Sequence, residues 1–206
     1  MISSYILCFA ISYLMGTIPG AYIVGRLLGK IDIRNEGTGN VGAMNTYEVT
    51  GRKSYGILVL LIDLVKGVAA LLITIEFIGN SFENLFISNI SVLLGHNYNI
   101  FLKFKGGRGL ATTAGCSLYL NPSIAAAWAL LYLAAYYLIK RNVHAGNIVA
   151  TAFTTLLLCV IPGTVITSLN VAFEFSKQQL VLLSGGICTV VMLRHIGPLR
   201  DLLKRK

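Results

Sequence analysis

"YGILVLLIDLVKGVAALLITIEFIG", residues 55–79, runs for 25 residues with three charged side chains, Asp63, Lys66 and Glu76. That exceeds the roughly 20 residues a helix needs to cross a hydrocarbon core of about 30 Å. The rest of the chain agrees with it. Over 206 residues the hydrophobic content is 55%, charged residues make up 12% and the mean hydropathy is +0.74, far more apolar than a soluble domain of this size. The sequence predicts an all-α integral membrane protein. Apolar segments fall at about 3–25, 55–79, 85–102, 109–121, 123–139, 146–169 and 179–193. They predict a single bundle of seven transmembrane helices, with 109–121 and 179–193 short, tilted or partly re-entrant. The first segment has no basic n-region and continues past Pro19 to about Val24, so it reads as a retained span and not a signal peptide. No linker, low-complexity tract or repeat divides the chain, and residues 1–206 are expected to form one transmembrane domain.

Charge orients that domain. Arg26, Lys30, Arg34, Arg52 and Lys53 lie after the first span, and Lys103, Lys105 and Arg108 after the third. Lys140 and Arg141 follow the fifth; Arg194, Arg200, Lys204, Arg205 and Lys206 close the chain. The opposite loops hold Lys177 against Glu83 and Glu174. Basic loops stay in the cytoplasm, which predicts a multi-pass protein of the cell membrane with its N-terminus outside and its C-terminus inside. The net charge of +9 is therefore topological, and its confinement to short loops and a tail argues against nucleic acid as a partner. Cys8, Cys116, Cys159 and Cys188 fall singly in apolar segments, without CxxC or metal-ligand spacing, and read as small core residues.

Two cytoplasmic loops carry the chemistry. The first contains "GTGNVGAMN", residues 37–45, in which Thr38, Asn40 and Asn45 offer short hydrogen-bonding side chains and the glycines permit tight turns. Such a segment lines a polar cavity or makes a plain turn. The second, "FLKFKGGRGLATTAG", residues 101–115, combines Gly106, Gly107 and Gly109 with Lys105 and Arg108 at the start of a helix. Backbone donors, a helix N-terminus and cations together grip anions such as phosphate, or anchor the chain to anionic head groups. It is not a Walker loop, because GxxxxGK[ST] is absent. His96, His144 and His195 are scattered and do not make a metal site; His195 ends the last span on the same cytoplasmic side. Asp63 and Lys66, at i and i+3, can pair on one helical face, either as a stabilising pair or as an intramembrane functional pair. No GxSxG elbow, HxxxxD box, HExxH or kinase signature is present, so no covalent nucleophile is indicated.

"YLMGTIPGAYIVGR" in the first span, "GTGNVGAMN", "GHNYNIFLKFKGGRGLAT" and the closing "RH" resemble, in that order, the bacterial acyl-phosphate:glycerol-3-phosphate acyltransferases of the PlsY type. The likeness covers nearly the whole chain. It implies a seven-helix membrane enzyme that transfers a fatty acyl group from acyl phosphate to the hydroxyl of glycerol 3-phosphate, giving lysophosphatidic acid for phospholipid synthesis. It implies no metal or other cofactor, and no acyl carrier protein or coenzyme A. Thr38 stands at the family's motif serine and His195 at its essential histidine, and both are expected to be catalytic. Asn40, Asn45, Lys105, Gly106, Gly107, Arg108, Gly109 and Asn147 are expected to bind substrate. Acyl phosphate is a mixed anhydride with a good leaving group, so positioning and oxyanion stabilisation carry the reaction.

The departures are specific. Glu48 occupies the position of an arginine expected to bind the acceptor's phosphate, and Pro198 that of an asparagine after the histidine. A reversed charge beside an anion costs several kcal/mol if the geometry is kept. Two alternatives follow: a paralogue acylating another acceptor, or a non-catalytic lipid-binding protein on the same scaffold.

Overall fold

The first apolar run is interrupted. Helix α1 (Ile2–Gly16) stops ahead of Pro19 and α2 (Gly20–Leu27) resumes after it, so the expected single span is a broken one. Proline brings no N–H to the ladder, and the carbonyls it releases need donors in an apolar surrounding. They have them: Asn99 Nδ2 donates to Thr17 O at 2.6 Å and Lys66 Nζ to Ile18 O at 2.9 Å. Residues 2–204 are described in this computed structural model, and every regular element among them is helical. Of the basic residues used for topology, Arg205 and Lys206 lie outside the described residues.

The chain divides into two compact units, one ending at Cys116 and the other beginning at Ser117. The first unit contains α1, α2, α3 (Ala43–Thr50), α4 (Lys53–Phe77), α5 (Phe82–Asn97) and the start of α6 (Leu110–Leu120). Small residues let its helices touch. A Cβ on Gly16 would strike the Val92 carbonyl, and one on Gly95 the Tyr13 carbonyl, so α1 and α5 meet backbone to backbone. Hydroxyls fill the same seam: Ser12 Oγ lies 2.8 Å from Ser88 Oγ and 3.4 Å from Thr74 Oγ1, and Ser88 Oγ donates to Ala70 O. An apolar cluster of Ala21, Val24, Ile33, Val41, Val59 and Leu102 fastens the first loop beneath α2 and α4.

The second unit holds α7 (Pro122–Leu138), α8 (Val143–Val160), the short α9 (Gly163–Thr167), α10 (Lys177–Leu193) and α11 (Ile196–Lys204). Asn121 caps α7 by accepting from Ser123 N, while its amide donates to Ile166 O and Asn170 Oδ1. Trp128, Tyr132 and Tyr136 stack at i, i+4 spacing, and Trp128 Nε1 donates to Thr151 Oγ1 on α8. Ser176 and Gln179 form a capping box at the start of α10.

All seven expected apolar segments carry a helix, but several end early. The 85–102 segment leaves the α-helix after Asn97, where buried Asn97 and Asn99 replace apolar residues; the 146–169 segment breaks at Pro162. Ile2–Leu27, Lys53–Phe77 and Val143–Val160 are long and apolar enough to cross a membrane, α6 and α7 are shorter apolar helices, and α10 with α11 forms a pair bent by 55°. The expected cysteine burial holds for Cys8 and Cys116, is partial for Cys188, and fails for Cys159, which is exposed on α8 because an apolar outer face suits a lipid-facing thiol as well as a core one.

Candidate active site

Loop geometry in the first unit starts from its clamps. Asp32 accepts from Arg34 Nε at 2.9 Å and Arg34 Nη2 at 2.6 Å, and from Arg26 Nη2 at 2.7 Å; both guanidiniums also lie over the Tyr22 ring. The Arg34 hydrogen bonds hold the Asp32 carboxyl well below the usual carboxylate range. Asp32 thus stays ionised and fixes the entry to the first loop.

Within that loop, Asn45 is the organiser. Buried at the start of α3, its Oδ1 accepts from Thr38 N at 2.9 Å and Thr38 Oγ1 at 3.0 Å, while its Nδ2 donates to Ile33 O and Glu36 O. Thr38 itself is exposed, and its hydroxyl also accepts weakly from Asn40 N at 3.4 Å. The structure therefore joins the side chains of Thr38 and Asn45 in one network, which Asn40 enters through its backbone N–H. Glu48, a turn further along α3, is exposed. A charge in water is strongly screened, so the expected cost of several kcal/mol for the reversed charge falls to about 1 kcal/mol at 4 Å.

The glycine loop is held differently. Lys103 and Phe104 both take left-handed backbone conformations, as does Gly109, and α6 begins directly afterwards at Leu110. Gly107 N donates to His96 O at 3.1 Å. Gly106, Gly107 and Gly109 are buried, whereas Lys105 is exposed and Arg108 half-buried. A side chain at Gly107 would collide with the His96 ring and the Val41 carbonyl, so the first loop and the glycine loop abut at this glycine.

Directly behind the glycine loop lies a group that the sequence left scattered. Lys66 Nζ sits 2.7 Å from Asp63 Oδ1 and 2.7 Å from His96 Nδ1, with all three side chains buried. The i, i+3 spacing revealed the Asp63 and Lys66 pair; nothing in the sequence linked it to His96 thirty residues on, since that contact is tertiary.

In the second unit His195 is wholly buried between α10 and α11, and its Nδ1 lies 2.9 Å from Val191 O. A carbonyl only accepts, so Nδ1 carries a proton. Asn147 is buried in the first turns of α8, a helix capped by Asn142, and His144 is half-buried one turn earlier.

A helical membrane protein with a buried glycine loop, flanking cations and a polar loop against it carries the kinds of groups that grip anions beside an apolar phase. The comparisons narrow that class. The family model described as glycerol-3-phosphate acyltransferase matches residues 6–205. "Glycerol-3-phosphate acyltransferase 2" of Moorella thermoacetica is 42% identical over 154 residues, covering 75% of this chain and 77% of that protein. The glycerol-3-phosphate acyltransferase of Syntrophotalea carbinolica is 35% identical over 204 residues, 98% of this chain and 95% of that one. Among solved structures, the integral membrane glycerol 3-phosphate acyltransferase PlsY (YgiH) in its glycerol 3-phosphate form superimposes with a TM-score of 0.76 at 32% identity, over 98% of this chain and 92% of that one. Its lysophosphatidic acid form gives 0.75 at 30%, with the same coverage. The chain belongs to the glycerol-3-phosphate acyltransferase family.

Proposed function

We propose that this protein is a membrane acyltransferase of phospholipid synthesis, moving a fatty acyl group from acyl phosphate to glycerol 3-phosphate and releasing lysophosphatidic acid and phosphate. The acceptor's hydroxyl oxygen attacks the acyl carbonyl carbon, the carbon–oxygen bond to phosphate breaks, and the hydroxyl proton leaves with the phosphate. The observation that carries this reading is the glycine loop, buried at Gly106, Gly107 and Gly109 with Lys105 and Arg108 beside them. It suits the phosphate of the donor and of the leaving group. Thr38 is the proposed catalytic hydroxyl of the first loop, with Asn40 and Asn45 binding substrate around it. In the second unit His195 is the proposed catalytic residue and Asn147 the substrate-binding one. Neither acyl carrier protein nor coenzyme A enters this scheme, and the anhydride bond supplies the driving force.

Basic residues on the loops after the first, third and fifth spans and at the C-terminus support a cytoplasmic site, with the N-terminus outside. The exposed Glu48 supports a second reading, in which a neutral or cationic acceptor replaces glycerol 3-phosphate.

Purified protein given acyl phosphate, with glycerol 3-phosphate or with water alone, tests both. Phosphate and lysophosphatidic acid appearing together only when glycerol 3-phosphate is present is the expected result. Phosphate release that glycerol 3-phosphate does not accelerate, with no lysophosphatidic acid, would leave the second reading.

A further inference from the structure

We propose that Asp63, Lys66 and His96 form a buried positioning relay that sets the tautomer of His96 and thereby the shape of the glycine loop. It deepens the proposed function, on which its enzymatic arm rests.

Lys66 Nζ is ion-paired with Asp63 Oδ1 at 2.7 Å, donates to Ile18 O at 2.9 Å and lies 2.7 Å from His96 Nδ1, and an ammonium has only donors to offer the ring. Because Lys66 donates, His96 Nδ1 must accept. The neutral ring then carries its proton on Nε2. That nitrogen is the atom a side chain at Gly107 would strike, so the imidazole edge bearing the proton faces the loop. His96 grips the loop a second way, its carbonyl accepting from Gly107 N at 3.1 Å. Lys66 thus connects three things: the carboxylate of Asp63, the helix break at Ile18, and the ring that Gly107 rests on.

A buried ion pair earns little net stability, since desolvation offsets most of the attraction. A pair that only braced α4 would not need a histidine beside it, yet His96 Nδ1 lies 2.7 Å from Lys66 Nζ. The arrangement resembles the outer partners that fix ligand-bearing histidines, where one ring nitrogen is held so that the other faces the working site. His96 and Lys66 are positioning residues in this account; neither is asked to touch the acyl carbon.

The relay has a spectroscopic test that does not depend on turnover. The chain has three histidines. With 15N-labelled histidine in lipid bilayers, and His144→Ala used for assignment, the relay predicts a neutral His96 signal protonated at Nε2 alone. His195, through its contact with Val191 O, supplies an internal contrast protonated at Nδ1. Lys66→Met, close in length and without the charge, should abolish the single-tautomer His96 signal. A His96 signal unchanged in Lys66→Met overturns the proposal.

The kinetic arm separates positioning from packing. The Gln amide nitrogen superimposes on imidazole Nε2, whereas that of Asn superimposes on Nδ1. His96→Gln should therefore keep much of the activity, and His96→Asn should raise the KM for acyl phosphate at least about tenfold, the scale of one charge-assisted hydrogen bond, with the KM for glycerol 3-phosphate nearly unchanged. Equal losses in both variants, or equal rises in both KM values, would mean that the ring only fills space. If the wild type itself fails to turn over acyl phosphate, the proposed function fails and the relay is judged on the tautomer signal and on protection of the glycine loop by inorganic phosphate in hydrogen exchange. Loss of that protection in His96→Asn with retention in His96→Gln supports it; identical protection in both sinks it.

Discussion

The two loops of the first unit solve the same problem in opposite ways. The first loop is held by side chains: Asn45 ties Thr38 to the carbonyls of Ile33 and Glu36, and Glu48, outside that network, stays in contact with water. The glycine loop is held by its backbone, pressed against His96 and Val41 where no side chain fits. A side-chain scaffold tolerates change at its unpaired positions. A backbone scaffold packed this closely tolerates almost none, because a Cβ at Gly107 would meet the His96 ring and the Val41 carbonyl. Glu48 therefore stands where a change is tolerated, and Gly106, Gly107 and Gly109 where it is not.

The comparison breaks first, if it breaks, at Gly107. Gly107→Ala adds one methyl where the His96 ring and the Val41 carbonyl already stand. Overpacking of this kind costs about 1–3 kcal/mol, and here the displaced atoms are the loop itself. Turnover of acyl phosphate should fall at least about hundredfold while the thermal midpoint moves by only several degrees. A variant with full activity would mean that the glycine loop is a lipid anchor and not a substrate site.

Next in size is Asn45→Ala. It removes the acceptor for two Thr38 donors and the donor to two carbonyls, leaving buried polar groups in need of partners. A loss of about 2–3 kcal/mol of stability is expected, read as a lowered thermal midpoint, together with a reduced kcat as Thr38 loses its anchor. Thr38→Ser keeps the hydroxyl and should remain active. If Asn45→Ala leaves both measurements alone, the first loop is organised by its apolar cluster and not by its amide.

The difference between the loops also decides how much could be read in advance. Apolar runs are a property of composition, so the seven segments were legible, as was the hydrogen-bonding capacity of Thr38 and Asn45, which the structure joins. The break at Pro19 was less so. A hydropathy pattern cannot tell a proline whose freed carbonyls find Asn99 and Lys66 from one that ends a span, because both donors are distant in sequence. Helix α3 was missed because "AMNTYEVT" has little apolar content and folds as a helix through its seat against α4. The Asp63 and Lys66 pair showed itself through helical spacing, while His96's share in it depended on how α4 and α5 pack. Local spacing reaches one turn; sites made by neighbouring helices need the tertiary structure.

The smallest expected effect is at Glu48. The side chain is exposed, so its field on an anion in the first loop is that of a charge in water, about 1 kcal/mol at 4 Å. Glu48→Arg exchanges a weak repulsion for a weak attraction and should lower the KM for glycerol 3-phosphate by about threefold to tenfold, with kcat little changed. The benefit should shrink as salt rises, since exposed charges are screened over about 10 Å at 0.1 M. Asn45 is three residues earlier on the same helix, and its network is untouched by the exchange, so stability should be unaltered. Should the KM stay fixed at low salt, the acceptor's phosphate is held elsewhere in this protein. Should glycerol 3-phosphate remain unused by both forms while acyl phosphate is still consumed, Glu48 belongs to an enzyme with a different acceptor, and the tolerance of the first loop is where that specificity changed.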